Sequence, residues 1–412
     1  MKIAIIAFDT RGGVQPYVAL SLGLQHAGHQ VTMITTAGFS DLVTSHGVTL
    51  AATTGDAEAA VRELQGAAEL SARERNRFMR QQMQATLGQT TAEVLAATRG
   101  ADLVAAGIGG SLTGRPIAEK LGVPYADAHL QPLGPPTAAF PGPLMPQVPG
   151  WLGRPGRRMS HRITAVALRA MFGGATRQVR AELGLPSQPV PTTGTPSAVY
   201  GFSPHVVPQP AEWGPRRRIT GYWSLPASPK WVPPTDLVDF IAAGPPPVCI
   251  GFGSMSSRDP DAVTELVLRA VRRARVRAVL LSGWGGLGDR GGDDIFVVTE
   301  APHDWLYPQM AAVVHHGGAG TTGAAFNAGV PAVVVPFAVD QPFWASRVAA
   351  LGTGPTPIPR KRLTDRNLGD ALNAATTDPV LRRRAADLGA VIRSEDGVAS
   401  AVHHLESSLD RA

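Results

Sequence analysis

His315-His316-Gly317-Gly318-Ala319-Gly320-Thr321-Thr322-Gly323 is the segment of this chain best equipped for chemistry. A strand-like apolar run precedes it and a helical pattern follows, so its glycines fall in a strand-to-helix turn. Small residues there let a ligand approach the backbone. The unpaired N–H groups of the first helical turn, aided by the helix dipole, can hold phosphate oxygens. A diphosphate is the natural guest for the stretch from Gly317 and Gly318 through Ala319, Gly320 and Thr321, with His315 and His316 as side-chain donors. A lone histidine is more often a satisfied core residue, but an adjacent pair abutting a glycine-rich helix start favours a ligand.

Asp340-Gln341 follows the apolar run 332–337. A carboxylate beside an amide suits sugar hydroxyls, because one accepts hydrogen bonds and the other donates as well as accepts. The plainer role for Asp340 is a cap on the helix that carries Phe343 and Trp344. Ser254, after Gly251-Phe252-Gly253, occupies a second strand-to-helix turn within reach of the same phosphates. Trp284 and His303 follow successive strands and face the same ligand, where an aromatic ring could flank a base. Gly318, Gly320 and Gly323 with Asp340 about 20 residues on also satisfy the dinucleotide fingerprint, which makes a nicotinamide-dependent oxidoreductase the alternative. The paired histidines and the late position of the motif, outside the first strand–helix turn of a domain, argue against it. Asp259-Pro260-Asp261 resembles an acidic metal motif, but proline at a helix start makes capping the better reading, and no metal is invoked.

These residues need a scaffold of strands ending in turns, and the sequence supplies it twice. Residues 2–8 form a strand, followed by Arg11-Gly12-Gly13, a helix announced by Pro16 and closed at Ala27-Gly28, and a strand over 31–35. Further strands are expected at 102–106 and 124–128. The second half restarts with strands at 248–252, 278–281, 295–298, 312–315 and 332–336. Alternation of strands and helices predicts an α/β protein with two Rossmann-like, doubly wound parallel-sheet domains facing a cleft. The expected boundaries are 1–210 for an acceptor-binding domain, 211–240 for a proline-rich linker, 241–392 for a donor domain and 393–412 for a C-terminal helix. Proline and glycine dominate 132–156, which predicts a long ordered loop or lid whose Phe140 is expected to bind the acceptor together with the first glycine turn at Gly13. A polar-rich helical pattern over 58–99 offers Phe78, Met79 and Met83, either as core or as part of an acceptor pocket.

Composition excludes several classes. With 44% hydrophobic and 17% charged residues the 412-residue chain has ample material for two cores. No apolar run approaches the roughly 18 residues of a membrane span, and the opening strand is too brief for a secretory signal, so a cytoplasmic protein without integral membrane contact is expected. The single Cys249 excludes an intramolecular disulfide. The +6 net charge is carried mainly by scattered arginines without interleaved aromatics, which argues against nucleic acid.

Taken together, Arg11-Gly12-Gly13-Val14-Gln15-Pro16, Gly221-Tyr222-Trp223, Gly251-Phe252-Gly253-Ser254-Met255, Pro302-His303-Asp304-Trp305, the histidine–glycine segment and Pro336-Phe337-x-x-Asp340-Gln341-Pro342-Phe343-Trp344 make the chain resemble family 1 glycosyltransferases of the GT-B fold. The resemblance is strongest to sterol glucosyltransferases and actinomycete antibiotic glycosyltransferases. It implies an N-terminal acceptor domain, a C-terminal donor domain, a final helix that crosses back, and metal-independent, inverting transfer from a UDP- or dTDP-sugar to a small, apolar, natural-product or sterol-like acceptor. The nucleotide sugar is a co-substrate, and no other cofactor is implied. Ser254, the histidines and the glycine turn then hold the diphosphate, and Asp340 and Gln341 the sugar. One departure stands out. The family's proposed base, an aspartate or histidine, falls at Gly13. Asp127 and His129, at the end of the 124–128 strand, and Asp9 are the candidates to replace it, with the two former ranked first and Asp9 read as a possible turn cap. A non-catalytic homologue that binds the sugar nucleotide is the second alternative, and acceptor, sugar, linkage and homodimer formation are open at this level.

Overall fold

Ile3, Ala4, Ile5 and Ile6 are all buried, as a strand covered by helices on both faces requires. They belong to β1 (Lys2–Ile6), an interior strand of a seven-stranded sheet. The structure is a computed structural model, which describes residues 1–54, 86–188, 197–228, 230–253, 259–282 and 292–409. After β1 come α1 (Arg11–His26), β2 (Gln30–Thr36), β3 (Thr49–Thr53), β4 (Leu103–Ala106), α2 (Ser111–Leu121), β5 (Tyr125–His129), α3 (Gly153–Glu182), β6 (Ser197–Tyr200) and β7 (Arg217–Ile219). The order is β3-β2-β1-β4-β5-β6-β7, and every pairing is parallel. The winding reverses between β1 and β4, so the turn after β1, which carries Asp9, opens at a topological switch point.

A second sheet, in the order β10-β9-β8-β11-β12, is also wholly parallel. It is built from β8 (Val248–Gly251), β9 (Ala278–Leu281), β10 (Ile295–Val298), β11 (Ala312–His315) and β12 (Ala332–Val334). Its helices are α4 (Pro260–Ala274), α5 (Ala319–Ala328), α6 (Gln341–Leu351), α7 (Asp365–Thr377) and α8 (Pro379–Arg393). Asp259 caps α4 by accepting from the Ala262 amide at 2.8 Å, with Pro260 in the first turn. Val267 and Val271 of α4 and Leu368 and Leu372 of α7 pack with Val248, Ile250, Leu280, Val314 and Val333 into one core.

The chain divides into two units, Met1–Leu225 with Asp396–Ala412, and Pro226–Glu395. The last helix, α9 (Gly397–Leu409), packs on the first unit: Ala401 and Leu405 are buried, and His29 Nε2 lies 2.9 Å from Glu406 Oε1.

Three elements differ from expectation. α1 begins at Arg11, so Gly12 and Gly13 lie in its first turn instead of ahead of it. The 211–240 stretch, expected as a linker, contributes β7 to the first sheet and the helix Thr235–Ala242 to the second unit. The proline-rich loop ends before Gly153, where a 30-residue helix starts. That loop is pinned in place: Trp213 Nε1 donates to Pro135 O at 3.0 Å, Tyr200 Oη to Leu133 O at 2.7 Å, and the Gly142 amide to Ser160 Oγ at 2.8 Å.

Candidate functional site

In the second unit the switch point falls between β8 and β11, where His315 pairs with Gly251. The histidine pair divides its work there. His315 is fully buried, and its Nδ1 accepts from the Gly317 amide at 3.0 Å, which leaves the ring proton on Nε2. Burial, with His316 and His303 close by, holds its pKa down to about 3. The His315 side chain is enclosed and locks the turn through Nδ1, while its Nε2 is buried without a hydrogen-bond partner among the described residues. His316 is half-buried, with its ring lodged between two glycines. A β-carbon at Gly318 would stand 2.5 Å from His316 Nε2, and one at Gly253 3.1 Å from Cε1. A side chain at Gly318 would displace the ring, and Gly253 is held to glycine by its φ of +62° as well as by the tight contact. Burial lowers the His316 pKa to about 4, so this imidazole is neutral at physiological pH.

Gly317 has φ +90°, a left-handed conformation that glycine adopts without a side-chain penalty. Its α-carbon lies against α6, since an added β-carbon would meet Gln341 O at 3.1 Å. Gly318 then caps α5, whose first internal bond runs from the Thr322 amide to Gly318 O at 2.9 Å. The amides of Ala319, Gly320 and Thr321 precede that bond and have no helical acceptor, the arrangement that helix termini offer to anions. Thr322 Oγ1 donates to Gly318 O and is enclosed.

The close approach of Gly317 to Gln341 brings the second motif alongside the first. Gln341 Oε1 accepts from the amides of Phe337 and Ala338, at 2.8 and 3.1 Å, and so ties down the turn that presents Asp340. Val339 in that turn has φ +58°, a conformation that strains a β-branched residue and persists where the surroundings over-determine it. Asp340 Oδ2 accepts from Trp344 Nε1 at 3.0 Å, and Trp344 is fully buried, so a rigid indole aims the carboxylate. Asp340 is the N-cap residue of α6, yet its side chain makes no capping hydrogen bond. His303 stacks on Tyr307 with 4.4 Å between ring centroids. Ser254 and Trp284 lie outside the described residues.

In the first unit, Asp9 follows β1 and folds back over the first turn of α1. A β-carbon at Gly13 would overlap the Asp9 carboxylate, so the absence of a side chain at Gly13 is what lets Asp9 occupy that space. Asp9 Oδ1 accepts from the Thr10 amide at 2.6 Å. Thr10 Oγ1 also donates to Asp9 Oδ1, at 3.3 Å, and the other candidates carry partners of their own. Asp127 Oδ2 accepts from Arg115 Nη2 at 2.7 Å, and its Oδ1 lies 3.7 Å from His129 Nε2. His129 is 9% exposed, its Nδ1 is buried without a hydrogen-bond partner, and burial lowers its pKa. Nothing in the sequence singled out Arg115, because one arginine on a helix looks like any solvated charge. Phe140, expected against an acceptor, is 1% exposed and packs edge-on against Trp213 and His161. The pinned loop turns that ring inward, so it serves the core. Phe78, Met79 and Met83 lie outside the described residues.

The buried histidine makes stability pH-dependent. An unfolded histidine takes its proton near pH 6.5, His315 in the folded chain only near pH 3, so between these values the unfolded state binds more protons. The contribution of the neutral ring is complete above pH 6.5 and is lost as pH falls, by ~1.4 kcal/mol per pH unit. Urea denaturation at pH 5 should show ~2 kcal/mol less stability than at pH 7 from this group alone. His315→Gln should flatten the profile by that amount, and an unchanged profile would place the ring in contact with water.

Comparison with known proteins adds to this geometry. The profile of the glycosyltransferase family 28 N-terminal domain matches residues 3–133. That of the erythromycin biosynthesis protein CIII-like C-terminal domain matches residues 291–407. Two proteins of Arabidopsis thaliana, sterol 3-beta-glucosyltransferases UGT80A2 and UGT80B1, are each 34% identical over 98% of the chain. The chain spans 64% of the length of the first and 67% of the second. The crystal structure of the Streptomyces sp. SF2575 glycosyltransferase SsfS6 complexed with thymidine diphosphate superposes with a TM-score of 0.62 at 21% identity, covering 99% of both chains.

Proposed function

The chain belongs to the glycosyltransferase family that contains the plant sterol 3-beta-glucosyltransferases, and from that membership we propose that it moves a sugar from a nucleoside diphosphate to a hydroxyl of a small, largely apolar acceptor. One observation carries the donor half of this reading: the open amides at the start of α5 and the His316 ring adjoin the turn that presents Asp340 and Gln341. In the proposed complex, phosphate oxygens accept from the amides of Ala319, Gly320 and Thr321 and from His316, while sugar hydroxyls donate to Asp340. The thymidine diphosphate bound by SsfS6 supports a pyrimidine nucleotide, UDP or dTDP, as the carrier.

Asp9 is the proposed general base. It accepts the proton of the acceptor hydroxyl as that oxygen bonds to the anomeric carbon. The bond from that carbon to the diphosphate breaks on the opposite face, and configuration inverts. A carboxylate in the space left by Gly13 suits this role better than one bound to an arginine or an imidazole closed off from ligand. Negative charge growing on the leaving diphosphate is met by the helix terminus and the neutral His316 N–H, the task that a divalent cation performs elsewhere. Transfer should therefore persist at full rate in excess EDTA, and a loss restored by magnesium would overturn the metal-independent part of the proposal. Titration calorimetry with UDP and dTDP, followed by mass spectrometry of sterols incubated with the matching sugar nucleotides, tests the whole. Failure of both nucleoside diphosphates to bind would end it.

A further inference from the structure

Over its first two-thirds α3 is wound inside out. Ser160, His161 and Thr164 are buried, while Met159, Ile163, Val166 and Met171 are 51%, 42%, 62% and 54% exposed, and Trp151 just ahead of the helix is 85% exposed. The inner face has a reason to be polar. The pinned proline-rich loop has no sheet partners for its backbone, so Ser160 Oγ accepts the Gly142 amide and His161 Nε2 bonds Phe140 O at 2.9 Å. That reason does not apply outside, where solvent would favour polar residues. At about 100° per residue Met159, Ile163, Val166 and Ala170 share one narrow stripe, with Arg158, Arg162 and Arg169 along one side of it. Residues 150–181 contain seven arginines and no aspartate or glutamate. Arg158 pairs with Glu212 from outside the helix at 3.2 Å, whereas Arg162 and Arg169 make no ion pair among the described residues.

We propose that this face docks on an anionic lipid surface. Long apolar side chains entering the interface beside a row of arginines at headgroup level are the physical signature of a helix that lies on a membrane. Trp151 at the edge of the stripe adds an interfacial anchor. The charge row chooses among occupants. An antiparallel second copy would set arginine row against arginine row, and a nucleic acid would leave the apolar stripe in water. No helix among the described residues is long and apolar enough to cross a membrane, so the attachment is peripheral. The inference does not depend on the transfer reaction or on the assignment of Asp9.

Flotation with vesicles tests it. The full chain should float with mixed phosphatidylglycerol–phosphatidylcholine vesicles at low salt, be released in part as salt rises while the apolar stripe holds the remainder, and bind pure phosphatidylcholine far more weakly. Arg162→Gln with Arg169→Gln should weaken partitioning roughly 30-fold, as the loss of two surface arginines implies. Ile163→Ser with Val166→Ser should abolish the salt-resistant part. All four side chains are exposed, and circular dichroism would verify that the variants fold. No binding to the anionic vesicles at low salt, or equal binding by the arginine variant, overturns the proposal. So would a wild-type dimer that the serine variant dissociates, since a second copy would then cover the stripe.

Discussion

Asp9→Asn is expected to lower kcat for sugar transfer by about two to four orders of magnitude, the usual contribution of a positioned general base, while nucleoside diphosphate binding measured by calorimetry stays at the wild-type value. Asparagine keeps the size of the side chain and an oxygen for the Thr10 amide, so the turn should survive and only proton acceptance is lost. The close approach at Gly13 supplies a sharper test. Gly13→Asp alone would drive its β-carbon into the Asp9 carboxylate and destabilise the first turn of α1. Combined with Asp9→Gly that overlap disappears, and a carboxylate returns to the same space from the helix instead of the strand end. The double variant should recover at least a tenth of the wild-type rate, against a hundredth or less for Asp9→Asn. Should Asp9→Asn transfer sugar within threefold of wild type, the base lies elsewhere and Asp127 with His129 returns as the leading candidate.

Asp340→Ala is expected to reduce kcat/KM for the sugar nucleotide about 10- to 150-fold, the equivalent of losing one charge-assisted hydrogen bond of roughly 1.5–3 kcal/mol. The decisive feature is a split between ligands. With the diphosphate at the start of α5 and the sugar at Asp340, as proposed, the variant should bind UDP or dTDP normally and lose affinity only for the sugar-bearing form. Asp340→Asn should fall between the two, because it can still accept from Trp344 Nε1 but carries no charge. A variant that weakens nucleoside diphosphate and sugar nucleotide equally would show that Asp340 acts by holding the 337–340 turn, and the sugar assignment would fail.

Read alone, the sequence determined a great deal about this protein, because its signals are local. Alternating apolar runs and glycine-closed helices specify strand–helix repeats through backbone geometry that needs only near neighbours, and they located β1, β2, β4, β5 and all five strands of the second sheet. The glycines at 317, 318 and 320 announce an open helix terminus for the same local reason. α3 resists such reading, because it presents its apolar stripe to solvent and a periodicity that normally marks a buried face marks the outer one here, and β3, β6 and β7 hold too few bulky apolar residues in a row to stand out. Tertiary structure alone decided which of two adjacent histidines is enclosed, since that depends on β8 and Gly253, far away in the chain. It also turned Phe140 into the core, gave Asp127 to Arg115, and laid the Asp9 carboxylate over Gly13. Each of these is a contact between groups whose partners the chain brings together only on folding, and a side chain's chemistry is set by those partners as much as by its type.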